Sequence, residues 1–286
     1  MRKPSTGCAS THDRIDGGFG DSRVMRARVL TALALIPPVL AAVFYSKPWP
    51  ILALSLLICF GCTSEVSFMT KQKLVWPGAL LCAVGLVWFL STLQGVPITA
   101  TACILGCSIV GWISSGLVST EKTSPLALLA PFWFIGPLVA LLFLHIGHVV
   151  PDTWNWKNPI LLAIVPLWGG DTAAIFAGKA FGKHKLAPTI SPKKTVEGAI
   201  ANLFACVLVA WGLGALIGVS PSASLAGGAV AGIFGQMGDL FESWVKRKAG
   251  MKDSGTILPG HGGIMDRIDS ILFTAPFVSL VLALLN

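Results

Sequence analysis

The sequence predicts an all-α fold: a polytopic membrane helical bundle of about nine transmembrane helices with a cytoplasmic N-terminus. Three observations predict it. Of 286 residues, 54% are hydrophobic and only 12% are charged, and mean hydropathy is +0.76. A soluble domain carries about 25% charged residues, and one core of this length could not bury so much apolar surface and keep a charged skin. Apolar windows of bilayer-spanning length, ~20 residues, recur along the chain. Finally, the basic residues are sorted by connection, as topology requires.

Residues 1–25 are polar, Gly-rich and of mixed charge, and read as a disordered cytoplasmic tail. The apolar windows then centre on 29–45, 51–69, 75–94, 97–119, 126–149, 159–178, 196–219, 223–245 and 264–285. The first is read as a retained span rather than a cleaved signal, because more spans follow and its basic flank lies late. Short connections suit a compact bundle. Residues 26–158 form the N-terminal transmembrane helices, and 159–286 the transmembrane region that carries the chemistry.

With nine spans and an inside N-terminus, every basic residue except Lys47 and Lys157 falls on the cytoplasmic side, and the C-terminus lies outside. The net charge of +8 therefore reads as topology and not as a nucleic-acid footprint; no nucleic-acid partner is expected. The seven cysteines make no scaffold. Cys59 and Cys62, like Cys103 and Cys107, sit in apolar runs at helical spacing and behave as small hydrophobes. Glu65, within the second window, stands apart from the other acids and reads as a helix-to-helix hydrogen-bonding group. Trp154-Asn155-Trp156 fits an interfacial aromatic belt.

Acidic residues are costly in a span, so their positions point to chemistry. Asp171, Glu197, Asp239, Glu242, Asp253, Asp266 and Asp269 all lie on or near the expected cytoplasmic ends of the last four spans. Asp239 and Glu242 stand three apart on one helix, as do Asp266 and Asp269 on the next. Between them Pro259, Gly260, Gly262 and Gly263 break the chain and allow a tight return. Two carboxylate pairs joined by a hairpin suit a hard divalent cation; magnesium takes one or two carboxylates and completes its shell with water and phosphate. Lys246, Arg247, Lys248, Lys252 and Arg267 add positive charge for phosphate oxygens, although loop cations also arise from topology alone. Amides after Gly262-Gly263 add donors at a helix start. His261 could contact phosphate, shuttle a proton or hold the hairpin shut.

A second constellation runs from 168 to 198. Asp171 lies inside its span among small residues, and the segment after it supplies five lysines, Ser191, Pro192 and Thr195 as a phosphate-facing loop, with Glu197 placed to cap the next helix.

Taken together, Ser243, Lys246-Arg247, Lys252-Asp253, Gly255, Leu258-Pro259, His261-Gly262-Gly263, Asp266-Arg267 and Asp269 resemble, without departure, the 243–269 signature of the phosphatidate cytidylyltransferase (CDP-diacylglycerol synthase) family. Gly238-Asp239-Leu240, Asp171, Phe181-Gly182-Lys183, Ser191-Pro192, Lys194-Thr195 and Glu197-Gly198 extend the resemblance, which is dense over 165–286. The resemblance implies transfer of the cytidylyl group of CTP to phosphatidic acid, giving CDP-diacylglycerol and pyrophosphate for phospholipid synthesis. It also implies magnesium (Mg2+), a homodimer in the inner membrane, and a polar cavity open to cytosol and the lipid bilayer. By motif position, Asp239, Asp266 and Asp269 would bind metal, while Lys246, Arg247, Lys252, Arg267 and His261 would serve catalysis. Asp171, Ser191, Lys193, Lys194, Thr195, Glu197, Glu242, Ser243, Asp253, Gly262 and Gly263 would meet substrate. A CDP-alcohol phosphotransferase fits less well, since Asp266-Arg267-Ile268-Asp269 lacks that family's aspartate framework. An ion-coupled transporter fits less well too, since the first half shows no matching charge cluster.

Overall fold

The computed structural model describes residues 22–71, 80, 83–87, 125–146 and 154–286. Seven helices and one short hairpin are resolved in full: α1 (Ser22–Phe44), α2 (Pro48–Thr70), α3 (Pro125–Ile146), α4 (Leu161–Phe181), β1 (Lys185–Ala187), β2 (Ser191–Thr195), α5 (Val196–Ile217), α6 (Pro221–Lys248) and α7 (Met265–Leu285). Residues 83–87 are also helical. The windows at 75–94 and 97–119 otherwise lie outside the described residues, as do Cys103, Cys107 and residues 1–21. The helix α1 already runs from Ser22, within the stretch read as tail.

Among the described residues, α2, α4, α5 and α7 are each long and apolar enough to cross a membrane. The chain is thus a helical membrane protein. The outward faces of α4 and α5 carry Trp168, Phe176, Phe204, Leu208 and Trp211, all exposed, as helices facing hydrocarbon do.

Local sequence explains the boundaries. Pro48 and Pro221 open α2 and α6 at positions where no amide bond is lost. Thr195 caps α5, accepting from the Gly198 amide at 3.1 Å, and Gly218, at φ 84°, ends it in a left-handed turn. The core lies where α2, α3 and α7 pack around Cys59, Cys62, Val66, Phe134, Leu138, Leu142, Met265 and Leu272, all buried. The thiols of Cys59, Cys62 and Cys206 are buried and form no disulfide.

The last four helices position the site. The hairpin β1–β2 joins α4 to α5, a tight turn joins α5 to α6, and residues 249–264 return the chain to α7. Because α4, α5, α6 and α7 pack side by side, the C-termini of α4 and α6 meet the N-termini of α5 and α7 at one end of the bundle. Glycines on α6 make this approach close. A Cβ on Gly228 would lie 2.7 Å from Val207 Cα, and one on Gly238 would lie 2.6 Å from the Asp269 carbonyl oxygen. At 28 residues α6 is about 42 Å long; although the sequence predicts a span at 223–245, α6 is not one of the four described helices apolar enough to cross a membrane, and its last turn carries Lys246, Arg247 and Lys248.

Candidate active site

A cavity of about 670 Å³ opens at that shared end. Asp171 and Gly178 of α4, Lys185 of β1, Lys193, Lys194 and Thr195 of β2, Asn202 of α5, Gln236 and Asp239 of α6 and Ser270 of α7 line it. The hairpin is antiparallel, with Lys185 opposite Thr195 and Ala187 opposite Ser191. It turns through Pro188-Thr189, and the Val196 amide donates to the His184 carbonyl at 2.9 Å. Sequence reading took this segment as a loop; three-residue and five-residue strands are too short for a period-two pattern to show.

Acids form the floor. Asp171 and Asp239 stand close enough to repel each other, as do Asp239 and Asp269. Lys194 reaches down from β2 to pair with Asp239 Oδ2 at 2.5 Å, both side chains remaining about one-third exposed. Asn202 donates to Asp171 Oδ1 at 3.2 Å, and Gln236 donates to Asn202 Oδ1 at 3.2 Å. These amides were not singled out from the sequence; polar side chains inside apolar helices were the available signal. Ser243 lies 3.4 Å from Asp239 Oδ1.

The i, i+3 spacing of Asp239 and Glu242 does not bring the two to one ligand. Three residues fall about 60° short of a full turn, and here that angle decides the partners. Asp239 faces the cavity, while Glu242 turns toward α7 and is buried. Its Oε2 lies 2.6 Å from Lys246 Nζ as an ion pair. Lys246 also donates to Asp266 Oδ1 at 2.6 Å, and Asp266 Oδ2 accepts the Ser254 and Gly263 amides at 3.0 and 2.9 Å. Lys246 is therefore sealed between two carboxylates.

The other cations hold loops. Arg247 donates to the Ile190 carbonyl at 3.3 Å and the Met251 carbonyl at 3.0 Å, tying the hairpin and the 249–264 loop to the end of α6. Arg267 grips the His261 carbonyl through Nε and Nη2. The turn beneath it needs glycine at Gly260 and Gly262, with φ 74° and 83°, and Leu258 bridges Gly262 across it. His261 Nδ1 is buried without a hydrogen-bond partner among the described residues. At the base of the hairpin Glu197 accepts from exposed His184, with Nδ1 at 2.7 Å. Lys252, Asp253 and Gly262 line a second cavity of about 760 Å³ against Ser64, Glu65 and Phe68 of α2. Ser191 and Gly263 shape backbone and do not line the first cavity.

Glu65 makes the helix-to-helix hydrogen bond expected of it, to the Met265 amide of α7, but it does not stand apart from the other acids, since it shares Ser254 with Asp266. It lies at the 249–264 loop, accepting from Ser254 Oγ at 2.7 Å and from the Ile264 and Met265 amides at 2.6 and 2.9 Å. Its partners are 189 to 200 residues away in the chain, beyond the reach of any local pattern.

Among the described residues, no three of His, Cys, Asp and Glu are gathered tightly enough to hold a metal ion by themselves. The row Asp171, Asp239 and Asp269 still has the chemistry magnesium accepts, namely one or two carboxylates with the remaining positions left to water and phosphate.

The model of the cytidylyltransferase family matches residues 26–285. The chain belongs to this family. A protein of Haemophilus influenzae named phosphatidate cytidylyltransferase is 31% identical over 90% of this chain and 98% of its own length. Proteins of the same name from Staphylococcus aureus and Bacillus subtilis are each 46% identical over 43% and 44% of this chain. In those two alignments the chain spans about half the relative's length, 48% in both.

Proposed function

We propose that this chain transfers the cytidylyl group of CTP to phosphatidic acid, producing CDP-diacylglycerol and pyrophosphate. The observation that carries the reading is the first cavity: lysines on a hairpin above, carboxylates below, and apolar helix faces beside it. A phosphate monoester attacking the α-phosphorus of CTP brings two anions together, so positioning and charge compensation are the main demands. Lys179, Lys185, Lys193 and Lys194 supply cations around the triphosphate. Lys194 exchanges Asp239 for a phosphate oxygen when nucleotide enters, which frees that carboxylate. No strong general base is required, since the attacking phosphate is already ionised near neutral pH.

Magnesium is proposed as the cofactor, held by Asp239 and Asp269 with Asp171 beside them; once bound it neutralises phosphate oxygens. Asp266 has both oxygens engaged by Lys246 and two amides, and it supports the loop. The finer topology is proposed as well: nine spans, a cytoplasmic N-terminus, the cavity facing the cytosol in the inner membrane, and a homodimer.

Purified protein in detergent, given CTP, phosphatidate and magnesium, is expected to release pyrophosphate only when all three are present. Pyrophosphate release that ignores phosphatidate, or none under any condition, would remove the proposal. A reporter fused after Asn286 is expected to read as non-cytoplasmic; a cytoplasmic reading would overturn the topology.

A further inference from the structure

We infer that Glu65, on α2, is a positioning residue that fixes the start of α7 and, through it, Asp266 and Asp269; the inference rests on the function proposed above. Glu65 is 2% exposed. Its Oε1 accepts the Ile264 amide at 2.6 Å, and its Oε2 accepts the Met265 amide at 2.9 Å and the Ser254 hydroxyl at 2.7 Å. The first amides of a helix have no partner within the helix, and Ile264, at the N-cap position, provides no side-chain cap. A carboxylate from another helix takes that role, and its charge also complements the positive end of the helix.

The clamp has a second jaw. Asp266 Oδ2 holds the Ser254 amide and the Gly263 amide, so Ser254 is gripped by its hydroxyl from Glu65 and by its backbone from Asp266. The loop and the helix start are thereby locked to α2 at one point. Space has been cleared for this. A Cβ on Gly255 would lie 3.0 Å from Glu65 Cγ, and one on Gly263 would lie 2.6 Å from Glu65 Oε2 and run into the Ser254 hydroxyl. On α2 itself, Gly61 makes room for the Ile264 side chain. Two glycines of the signature segment are thus accounted for by a carboxylate outside it.

Glutamine cannot stand in. Its amide nitrogen is a donor, and wherever it points it would face Ile264 N–H, or Met265 N–H and the Ser254 hydroxyl, leaving a buried donor without an acceptor. Both oxygens of Glu65 are spent on the protein, so its effect on the reaction runs through the placement of α7.

The test uses the full chain in detergent, comparing wild type with Glu65→Gln and Glu65→Asp. Three readouts are taken: kcat, KM for CTP, and hydrogen–deuterium exchange of peptides covering 252–270. Glu65→Gln is expected to lower kcat roughly 10- to 100-fold, the scale of an ångström-sized misplacement. KM for CTP should stay within about threefold, because Glu65 does not line the first cavity. Exchange should accelerate at 254 and 264–266 and not in α4 or α5, and Glu65→Asp should restore part of kcat. Wild-type kcat in Glu65→Gln, or lost kcat with unchanged exchange at 264–266, overturns the inference. Should Glu65→Gln fail to fold, Ser254→Ala removes one donor and is expected to lower kcat about threefold with faster exchange at 254; wild-type behaviour there overturns it equally. If the wild type itself transfers no cytidylyl group, the reaction is misassigned, and the exchange data alone decide the placement of α7.

Discussion

Two lysines meet aspartates in this protein, and they meet them differently. Lys194 pairs with Asp239 at the mouth of the cavity, where both side chains keep about a third of their surface in water. Lys246 pairs with Glu242 and Asp266 in the interior, where exposures are 11%, 1% and 7%. The open pair gains little from its own attraction and can be exchanged for another anion. The closed triad cannot be opened without stranding charges in the interior. In the function proposed above the first opens to substrate, while the second keeps α6 against α7.

That contrast can be broken by experiment. The largest effect belongs to Lys246→Met, which leaves Glu242 and Asp266 facing each other without a cation. Breaking a buried pair in this way costs roughly 3–5 kcal/mol, so the variant should lose its thermal transition or its monodisperse profile in size-exclusion chromatography. A stable, active Lys246→Met protein would erase the distinction. Next is Asp239→Asn, which removes a cavity carboxylate from a position about one-third exposed. It should keep the wild-type melting temperature and lose on the order of 100-fold in kcat. Lys194→Gln should sit below it, raising KM for CTP roughly tenfold, the worth of one charged hydrogen bond. Its stability should change by less than about 1 kcal/mol; a large loss of stability would place Lys194 with the interior triad. Smallest is His184→Ala. The ring is 78% exposed against Glu197, and kcat should stay within about twofold of wild type, since exposed pairs of this kind contribute little.

How much of this was legible beforehand follows from the same contrast. Hydropathy placed α2, α4, α5 and α7 within a few residues, because a span's length and composition are local properties. The clustering of acids toward the end of the chain pointed to the right end of the bundle. Charge alone could not separate Lys194 from Lys246, since Lys194 lies just before the start of α5 and Lys246 in the last turn of α6, both in lysine-rich runs. What separates them is the rotation of α6, which sends Asp239 to the cavity and Glu242 to α7. The hairpin escaped notice because its strands are short and carry three lysines. Glu65 was legible as a helix-to-helix hydrogen-bonding group, but its partners were not, because a lone acid in an apolar run gives no clue to which distant backbone it will meet.

The distance of Glu65 from its partners along the chain has a biosynthetic consequence. A ribosome feeding this polypeptide into a bilayer delivers α2 nearly two hundred residues before the donors of Ser254, Ile264 and Met265 exist. Until then the carboxylate, within two turns of the end of α2, lacks those donors, and an acid in a span is costly. Arrival of α7 ends that interval, and a chain halted before Ile264 would leave Glu65 without the amides of Ile264 and Met265.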